Sequence, residues 1–182
     1  QAVVSIFTLP TYLFPSPMAV FERLLQHTDL LLSHAKVTLI EIALGLICGF
    51  ILGLISALLL TLSRRVSAFL MPLLVISQAV PVFAIAPLLV LWLGYGMASK
   101  IAMAVLIIYF PVTAACYDGL RNTPQSWLQL AQTLQISPQA MLFKVRLPAA
   151  LPALASGLRI AVSIAPIGAV VGEWVGSSEG LG

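Results

Sequence analysis

Side chains that could perform covalent or metal chemistry are sparse in this sequence. His27 and His34 stand seven residues apart and could share a helix face, but two histidines without a supporting carboxylate in reach make a poor metal site. Cys48 and Cys116 lie in apolar runs and match neither zinc nor redox spacing, so we interpret them as small buried apolar residues. The sequence has no Gly-x-Ser-x-Gly segment and no paired aspartates in its apolar runs. We therefore expect no catalytic residue and no bound metal.

The chemistry that the sequence does offer is a binding surface, at residues 123–148. This stretch includes the polar sequence QLAQTLQISPQAMLFKVRLP, which lies between long apolar runs. A polar insert of this size between two membrane spans must face water, because its polar groups cannot be satisfied in hydrocarbon. We therefore predict that a soluble partner binds this insert.

The first half of the insert is predicted to be a helix. Thr123 followed by Pro124 is a start signal, since the hydroxyl can cap the first turn and proline lacks an N–H that this turn leaves unbonded. The helix is expected to run to Gln135. Its apolar side consists of Trp127, Leu128, Leu130 and Ala131.

The second half of the insert repeats this pattern. Ser137 followed by Pro138 predicts another capped start. A short helix is expected to run to Arg146. Leu147 and Pro148 are then expected to close the insert and to open the next span.

Composition places the chain in a lipid bilayer. Sixty per cent of its residues are hydrophobic, 8% are charged, and the mean hydropathy is +1.08, whereas a soluble domain carries about a quarter charged residues. Crossing ~30 Å of hydrocarbon takes about 20 helical residues, and barrel strands would alternate in a way that these runs do not. We predict an all-α polytopic membrane bundle of about five spans, the first partial. The partial span is at residues 1–8, and the others are at 37–63, 66–99, 101–117 and 147–172.

Basic residues predict the orientation of the bundle, because Lys and Arg concentrate at cytoplasmic ends. Arg64 and Arg65 follow the first complete span, and further basic residues lie in or beside the insert. Lys100 stands alone between the next two spans. The insert is therefore expected inside, with Lys100 and residues 173–182 near the outer surface. This topology explains the net charge of +3, and we expect no nucleic-acid partner.

An amphipathic helix is predicted before the first complete span. Ser16 followed by Pro17 is a capped start of the kind described above. Residues 17–32 mix apolar side chains with charged ones such as Glu22 and Arg23. This composition suits the membrane interface.

Small residues recur at every fourth position in two spans. Such stripes let another helix approach closely, and packing of this kind drives association in lipid. The stripe in the first complete span is Gly45, Gly49 and Gly53, with Ala57 in register. The stripe in the last span is Ala149, Ala153, Gly157, Ala161, Ala165 and Ala169. We expect each to contact a helix of this chain or of a second copy.

Polar residues in the spans have two interpretations each. Prolines should bend the run at 66–99, and Gln78 lies near Pro81. Gln78 either faces a solute pathway or bonds the broken backbone. Glu173, at the outer end of the last span, either lines the pathway exit or is an interfacial carboxylate. Gln78, Pro81 and Glu173 are thus the candidate pathway residues.

Arg159 is the one charge inside the last span. It lies about 16 Å along the helix from Pro148 at 1.5 Å per residue. A charge at mid-membrane costs ~2.5–3.5 kcal/mol on insertion scales, so Arg159 should reach the cytoplasm or pair with a group such as Asp118. We favour a structural role over a role in substrate binding.

The insert resembles the signature of the permease subunits of bacterial ABC importers. That signature reads Glu-Ala-Ala, three residues, Gly, nine residues, Ile, one residue, Leu-Pro. The same spacing is met here by Gln129-Leu130-Ala131, Gln135, Val145 and Leu147-Pro148. Gln129, Leu130 and Gln135 replace the Glu, the first Ala and the Gly, which implies an altered grip on the ATPase.

Other segments extend the resemblance over nearly the whole chain. They are similar to the nitrate/taurine/sulfonate-type permease subfamily, some relatives of which carry thiamine or pyrimidine precursors. The segments are Leu13-Phe14-Pro15-Ser16-Pro17, Ala86-Pro87-Leu88, Trp92-Leu93-Gly94, Gly172-Glu173-Trp174 and Gly180-Leu181-Gly182. Such permeases usually continue through one more span, so we expect this chain to be a fragment.

The resemblance implies a single multi-pass permease domain, 1–182, in the bacterial inner membrane. The helix at 123–135 would be the coupling helix, which is seated on a separate ATP-binding subunit. This chain has no Gly-x-x-x-x-Gly-Lys-Ser/Thr loop, so ATP would be held by the partner, and we expect no cofactor and no enzymatic activity here. The residues implied in coupling are Thr123, Trp127, Gln129, Leu130, Ala131, Gln135, Ser137, Leu147 and Pro148.

Two further partners follow from the resemblance. A solute-binding protein would deliver a small solute on the outer side, and a second permease copy would complete a homodimer. A passive channel or secondary carrier without an ATPase is the alternative function. Neither the substrate nor the choice between homodimer and heterodimer follows from the sequence.

Overall fold

The structure is a computed structural model that describes residues 15–176 and 179–182, apart from the side chain of Arg64. The expected partial span at residues 1–8 lies outside the described residues. Within them, the regular structure is entirely helical, as the composition predicts. In chain order the helices are α1 (Pro17–Gln26), α2 (Thr28–Leu62), α3 (Arg64–Ser77), α4 (Val82–Leu93), α5 (Met97–Arg121), α6 (Gln125–Thr133), α7 (Pro138–Met141) and α8 (Leu147–Gly176), with a π-helical turn (Leu142–Arg146) between α7 and α8.

Three helical segments in the described part of the chain are long and apolar enough to cross a bilayer. They are Thr28–Leu62, Met97–Arg121 and Pro138–Gly176. A fourth candidate is the pair Arg65–Ser77 and Val82–Leu93, whose axes meet at 98°. The four complete spans expected from hydropathy therefore correspond to three continuous segments and one strongly bent pair.

The bend between α3 and α4 is set by one proline. Pro81 holds extended backbone angles, φ −61° and ψ 129°, immediately before α4, and it has no N–H with which to continue α3. Pro72 and Pro87 lie inside α3 and α4 without ending them. Of the three prolines expected to bend or break this run, Pro81 is the one at the break between the two helices.

The amphipathic helix before the first span is shorter than expected. Ser16 Oγ accepts a hydrogen bond from the Ala19 N–H at 3.2 Å, and Pro17 takes the first helical position, as predicted. However, α1 ends at Gln26 because the backbone leaves the helical region at His27, φ −116° and ψ 30°. Residues 28–36 belong instead to the outer end of α2.

Leu147 and Pro148 open the next span, as predicted, because α8 begins at Leu147 directly after the π-helical turn ends at Arg146. They do not interrupt the helix, however, since the segment Pro138–Gly176 is continuous. Pro148 lacks an N–H, and its ring crowds the carbonyl four residues earlier. The wider π turn directly before it accommodates both effects.

Helix α5 is the centre of the bundle, with α2 and α8 packed against it. Its buried side chains include Ile108, Val112 and Leu120. Cys116 is fully buried there, as expected, whereas Cys48 is exposed on the surface of α2. The alternating directions of the long helices define two ends. The outer end comprises residues 28–41, 96–100, 173–176 and 179–182, and the inner end comprises 60–68 and 117–148.

Candidate functional site

The glycines of α2 lie in its contact with α5. A Cβ built on Gly45 would lie 2.6 Å from the Cβ of Ala104, and one on Gly53 would lie 2.8 Å from Cγ1 of Val112. Gly49 is equally close to α5. These distances are shorter than van der Waals contact, so glycine is needed for the two helices to approach this closely.

The small residues of α8 also pack against α5. A Cβ on Gly157 would lie 2.4 Å from the Cβ of Ala115 and 2.7 Å from the carbonyl oxygen of Pro111. The same face includes Ala153, which contacts Gly119, and the fully buried Ala161 and Ala165. Both stripes thus pack within one chain, which leaves other faces of α2 and α8 for lipid or partners.

A buried ion pair joins α2 to α5 at the outer end. Lys100 Nζ lies 2.6 Å from Glu41 Oε1, and the two side chains are 3% and 0% exposed. Lys100 Nζ also donates to the carbonyl oxygen of Glu179 at 2.9 Å. From the sequence, Lys100 is expected to stand alone between spans, and Glu41 has no predicted role. The available signal for this pair is that Glu41 and Lys100 are opposite charges, each at the outer end of an apolar run.

Glu173 completes what we call the outer polar cluster: His34, Thr38, Glu41, Lys100 and Glu173. Its carboxylate is buried and accepts one hydrogen bond from the Thr38 hydroxyl and another, at 2.6 Å, from the N–H of residue 182. The N–H of residue 181 donates to Thr38 Oγ1 at 3.1 Å, and that of residue 180 to His34 Nδ1 at 2.9 Å. Glu173 therefore anchors the segment 179–182 to the bundle.

The segment 179–182 needs glycine where it crosses Glu173. Gly180 has φ +130°, and a Cβ there would overlap the Glu173 side chain. The backbone angle and the contact with Glu173 thus explain why glycine is needed at Gly180, the first residue of the Gly-Leu-Gly segment. Glu173 is enclosed within the chain and is not on an interfacial surface, so its pathway role stays a prediction without support from this geometry.

Gln78 and Pro81 lie at the bend between α3 and α4. Both side chains are exposed on the surface of the bundle. The backbone N–H of Gln78 still donates to the carbonyl of Val75, at 3.2 Å. Of the two expected roles for Gln78, a pathway-facing position is compatible with this exposure, and it stays a prediction.

The start of the insert, residues 123–148, differs from the prediction because Thr123 does not cap the helix that follows it. The Thr123 hydroxyl is buried and donates back to the Leu120 carbonyl at 3.1 Å, so it does not cap α6. Pro124, with φ −52° and ψ 132°, precedes the first residue of α6. Thr123 therefore secures the end of α5, because its hydroxyl satisfies a carbonyl that the helix end leaves free. Ser137 does cap α7, since its Oγ accepts the Ala140 N–H at 3.3 Å.

One side of α6 exposes large apolar residues at the inner end. Trp127, Leu130 and Leu134 are 52%, 62% and 68% exposed. A groove of about 360 Å³ runs beside them and is also lined by Pro148. Ala131, by contrast, is buried, which fixes α6 against the rest of the insert. Gln129 is exposed, and Leu147 packs against the core of the bundle.

Gln135 takes a backbone conformation that favours glycine. It has φ +51°, the one such non-glycine residue in the described part of the chain. Its N–H donates to the Gln132 carbonyl at 2.9 Å, and the N–H of Ile136 donates to the Ala131 carbonyl at 3.3 Å. These two bonds form a Schellman motif with Gln135 at the left-handed position. α6 consequently ends at Thr133, two residues before the predicted end.

This geometry predicts that Gln135→Gly stabilises the insert by about 1 kcal/mol, because glycine removes the left-handed penalty. Amide hydrogen exchange in α6 should slow about fivefold. The same change at Gln132, inside α6, should instead cost about 1 kcal/mol and speed exchange. If both glycines shift exchange in the same direction, Gln135 is not strained.

Comparison with known proteins covers these same helices. A profile of the family described as "Binding-protein-dependent transport system inner membrane component" matches residues 49–182. The chain is 73% identical over 182 residues to a "Probable ABC transporter permease protein" of Haemophilus influenzae, which covers all of this chain and 74% of that protein. It is 42% identical over 172 residues to the formylaminopyrimidine transport permease protein ThiX of Halalkalibacterium halodurans, covering 94% and 69% of the two chains. It is 33% identical over 185 residues to the putative aliphatic sulfonates transport permease protein SsuC of Bacillus subtilis, covering 100% and 67%.

Proposed function

Because this chain belongs to the binding-protein-dependent transport system inner membrane component family, we propose that it is the permease subunit of an importer driven by a separate ATPase. The chain is an ABC transporter permease, a multi-pass protein of the bacterial inner membrane, and not itself an enzyme. Closure of the ATPase on ATP would move the insert, and the long helices would follow as connected bodies. A solute-binding protein would deliver the solute at the outer end.

The observation that carries the coupling proposal is the exposed apolar side of α6. Trp127, Leu130 and Leu134 are exposed at the inner end of the bundle, on an insert that we expect to face water. Apolar groups exposed to water together mark an interaction site, and aromatic residues beside a groove are typical energetic centres of interfaces. The surrounding polar residues, such as Gln129, would form the rim of this interface.

The coupling proposal predicts that Trp127→Ala with Leu130→Ala weakens ATPase binding by ~2 kcal/mol or more, equivalent to roughly 30-fold. Co-purification of the ATPase and ATP-driven uptake into proteoliposomes should both fall by at least tenfold. The matched control is Gln132→Ala, an exposed residue on the opposite side of α6, which should leave both unchanged. Undiminished uptake by the double variant, or uptake without any ATPase, contradicts the proposal, and the second result indicates a channel or carrier.

The cargo class and the second copy are also proposals. One relative is named for formylaminopyrimidine transport and another for aliphatic sulfonates, so these are the first solutes to test on the associated binding protein. A second copy of the chain would face this one across the pathway. Support for it comes from polar side chains on the outside of α8, which need surroundings other than lipid.

A further inference from the structure

Arg159 is a charged residue deep in α8 that the packing of the chain does not use. It lies 12 residues after Leu147, the first residue of α8, which is ~18 Å along a helix that rises 1.5 Å per residue. Gly157, two residues earlier, packs on Pro111 and Ala115, near the middle of α5. The side chain therefore starts well inside the bilayer.

Arg159 has no partner within the described residues. Its side chain is exposed, and the ion pair found in residues 15–176 and 179–182 is Lys100–Glu41. The expected partner, Asp118, is also exposed. Its neighbour Gly119 packs on Ala150 and Ala153, about two turns closer to the inner end. The pairing expected from the sequence is therefore not made.

The face of α8 that carries Arg159 points away from α5. At 100° per residue, Arg159 points almost opposite to Gly157 and the buried stripe against α5. The exposed residues within about 60° of it are two serines, Ser156 and Ser163, and several apolar residues that include Ala155 and Val162. An unpaired arginine in hydrocarbon costs at least ~2.5–3.5 kcal/mol. This cost is avoided if the face borders water.

We propose that Ser156, Arg159 and Ser163 line the solute pathway at its midpoint, and that Arg159 binds an anionic, oxygen-rich group on the passing solute. This proposal rests on the proposed function, since it needs a pathway between permease copies. Arginine is suited to the role because its planar guanidinium stays charged and can donate two parallel hydrogen bonds to a carboxylate, sulfonate or phosphate. The Ser156 hydroxyl would replace part of the hydration lost by the solute, whereas the Ser163 hydroxyl donates to the Arg159 carbonyl at 2.9 Å.

The test measures charge-selective access of water-soluble probes. Full-length permease, assembled with its ATPase and binding protein in membrane vesicles, would carry Ser163→Cys after replacement of Cys48 and Cys116 by alanine. Two small methanethiosulfonates, one with a sulfonate and one with a quaternary ammonium group, would be compared. Each labelling rate is divided by the rate with a free thiol in solution, because these reagents differ in intrinsic reactivity and need a hydrated thiolate.

Ser163→Cys should be labelled, with the anionic probe favoured about tenfold by the nearby positive charge. Arg159→Gln should reduce this preference to near unity, and Arg159→Lys should retain most of it. Val162→Cys is the matched control. It is the adjacent residue and 49% exposed, but it is rotated by about 100° from Ser163, to the side away from Ser156, and it should label at least tenfold more slowly.

Two results would overturn the inference. They are labelling of Ser163→Cys no faster than Val162→Cys, and a probe preference unaffected by Arg159→Gln. The labelling rates test the pathway and do not depend on the ATPase. The Trp127 and Leu130 variants test coupling to the ATPase and do not test the pathway. Failure of the pathway proposal can therefore be distinguished from failure of the coupling proposal.

Discussion

The Lys100→Met variant is expected to lose about 3–5 kcal/mol of folding stability, because it leaves the Glu41 carboxylate buried without its cation. The native pair is separated by 2.6 Å, and both side chains are almost fully enclosed. The thermal unfolding midpoint of the full-length protein in lipid nanodiscs should fall by on the order of 10 °C.

Two control variants test whether the loss of stability comes from breaking the ion pair. Glu41→Leu combined with Lys100→Met removes both charges and should recover most of the lost stability, because apolar residues of similar volume can replace a buried pair. Lys144→Met changes an exposed lysine of the insert and should shift stability by less than about 0.5 kcal/mol. A double variant as unstable as Lys100→Met alone would show that the pair itself is not what stabilises the outer end.

The membrane helices could be predicted from sequence because lipid imposes one requirement on every spanning segment. Each must be a continuous apolar helix of sufficient length, and α2, α5 and α8 meet that condition. Proline was less informative, since a proline breaks a helix only when its surroundings do not accommodate it. Pro81 bends the chain, whereas Pro148 is absorbed by the π-helical turn before it.

The parts of the site that could not be predicted depend on tertiary contacts. The stripes of Gly45 and Gly157 predict close helix contacts, but both stripes fit either a helix of the same chain or a second copy. The pairing of Glu41 with Lys100 joins residues 59 positions apart, and no local pattern encodes it. Gln135 stands where the signature of the resembled family has Gly. The sequence alone does not show why Gly is typical there, whereas the backbone angle of Gln135, φ +51°, lies in the region that favours glycine.

Gly157→Ala is expected to destabilise the bundle even though alanine is the better helix former. Propensity alone predicts a gain of about 1 kcal/mol. However, the new Cβ would lie 2.4 Å from the Cβ of Ala115 and 2.7 Å from the Pro111 carbonyl oxygen. To relieve these overlaps, α5 and α8 must move apart, and the lost packing should exceed the gain in helix propensity. We expect a net loss of about 1–3 kcal/mol in the free energy of unfolding. The check is the thermal unfolding midpoint in nanodiscs.

Compensation at the partner residue tests whether the loss arises from that contact. Adding Ala115→Gly to Gly157→Ala removes one of the two overlaps and should restore only part of the stability, because the Pro111 carbonyl is backbone and stays in place. Ser156→Ala, next to Gly157 on the exposed side, should change stability by less than about 0.5 kcal/mol. A gain in stability from Gly157→Ala would show that α8 and α5 are not held at the separation seen here. The Gly157 face of α8 would then not be fixed against α5. The proposal that the opposite face, which carries Arg159, lines the pathway would lose its geometric basis.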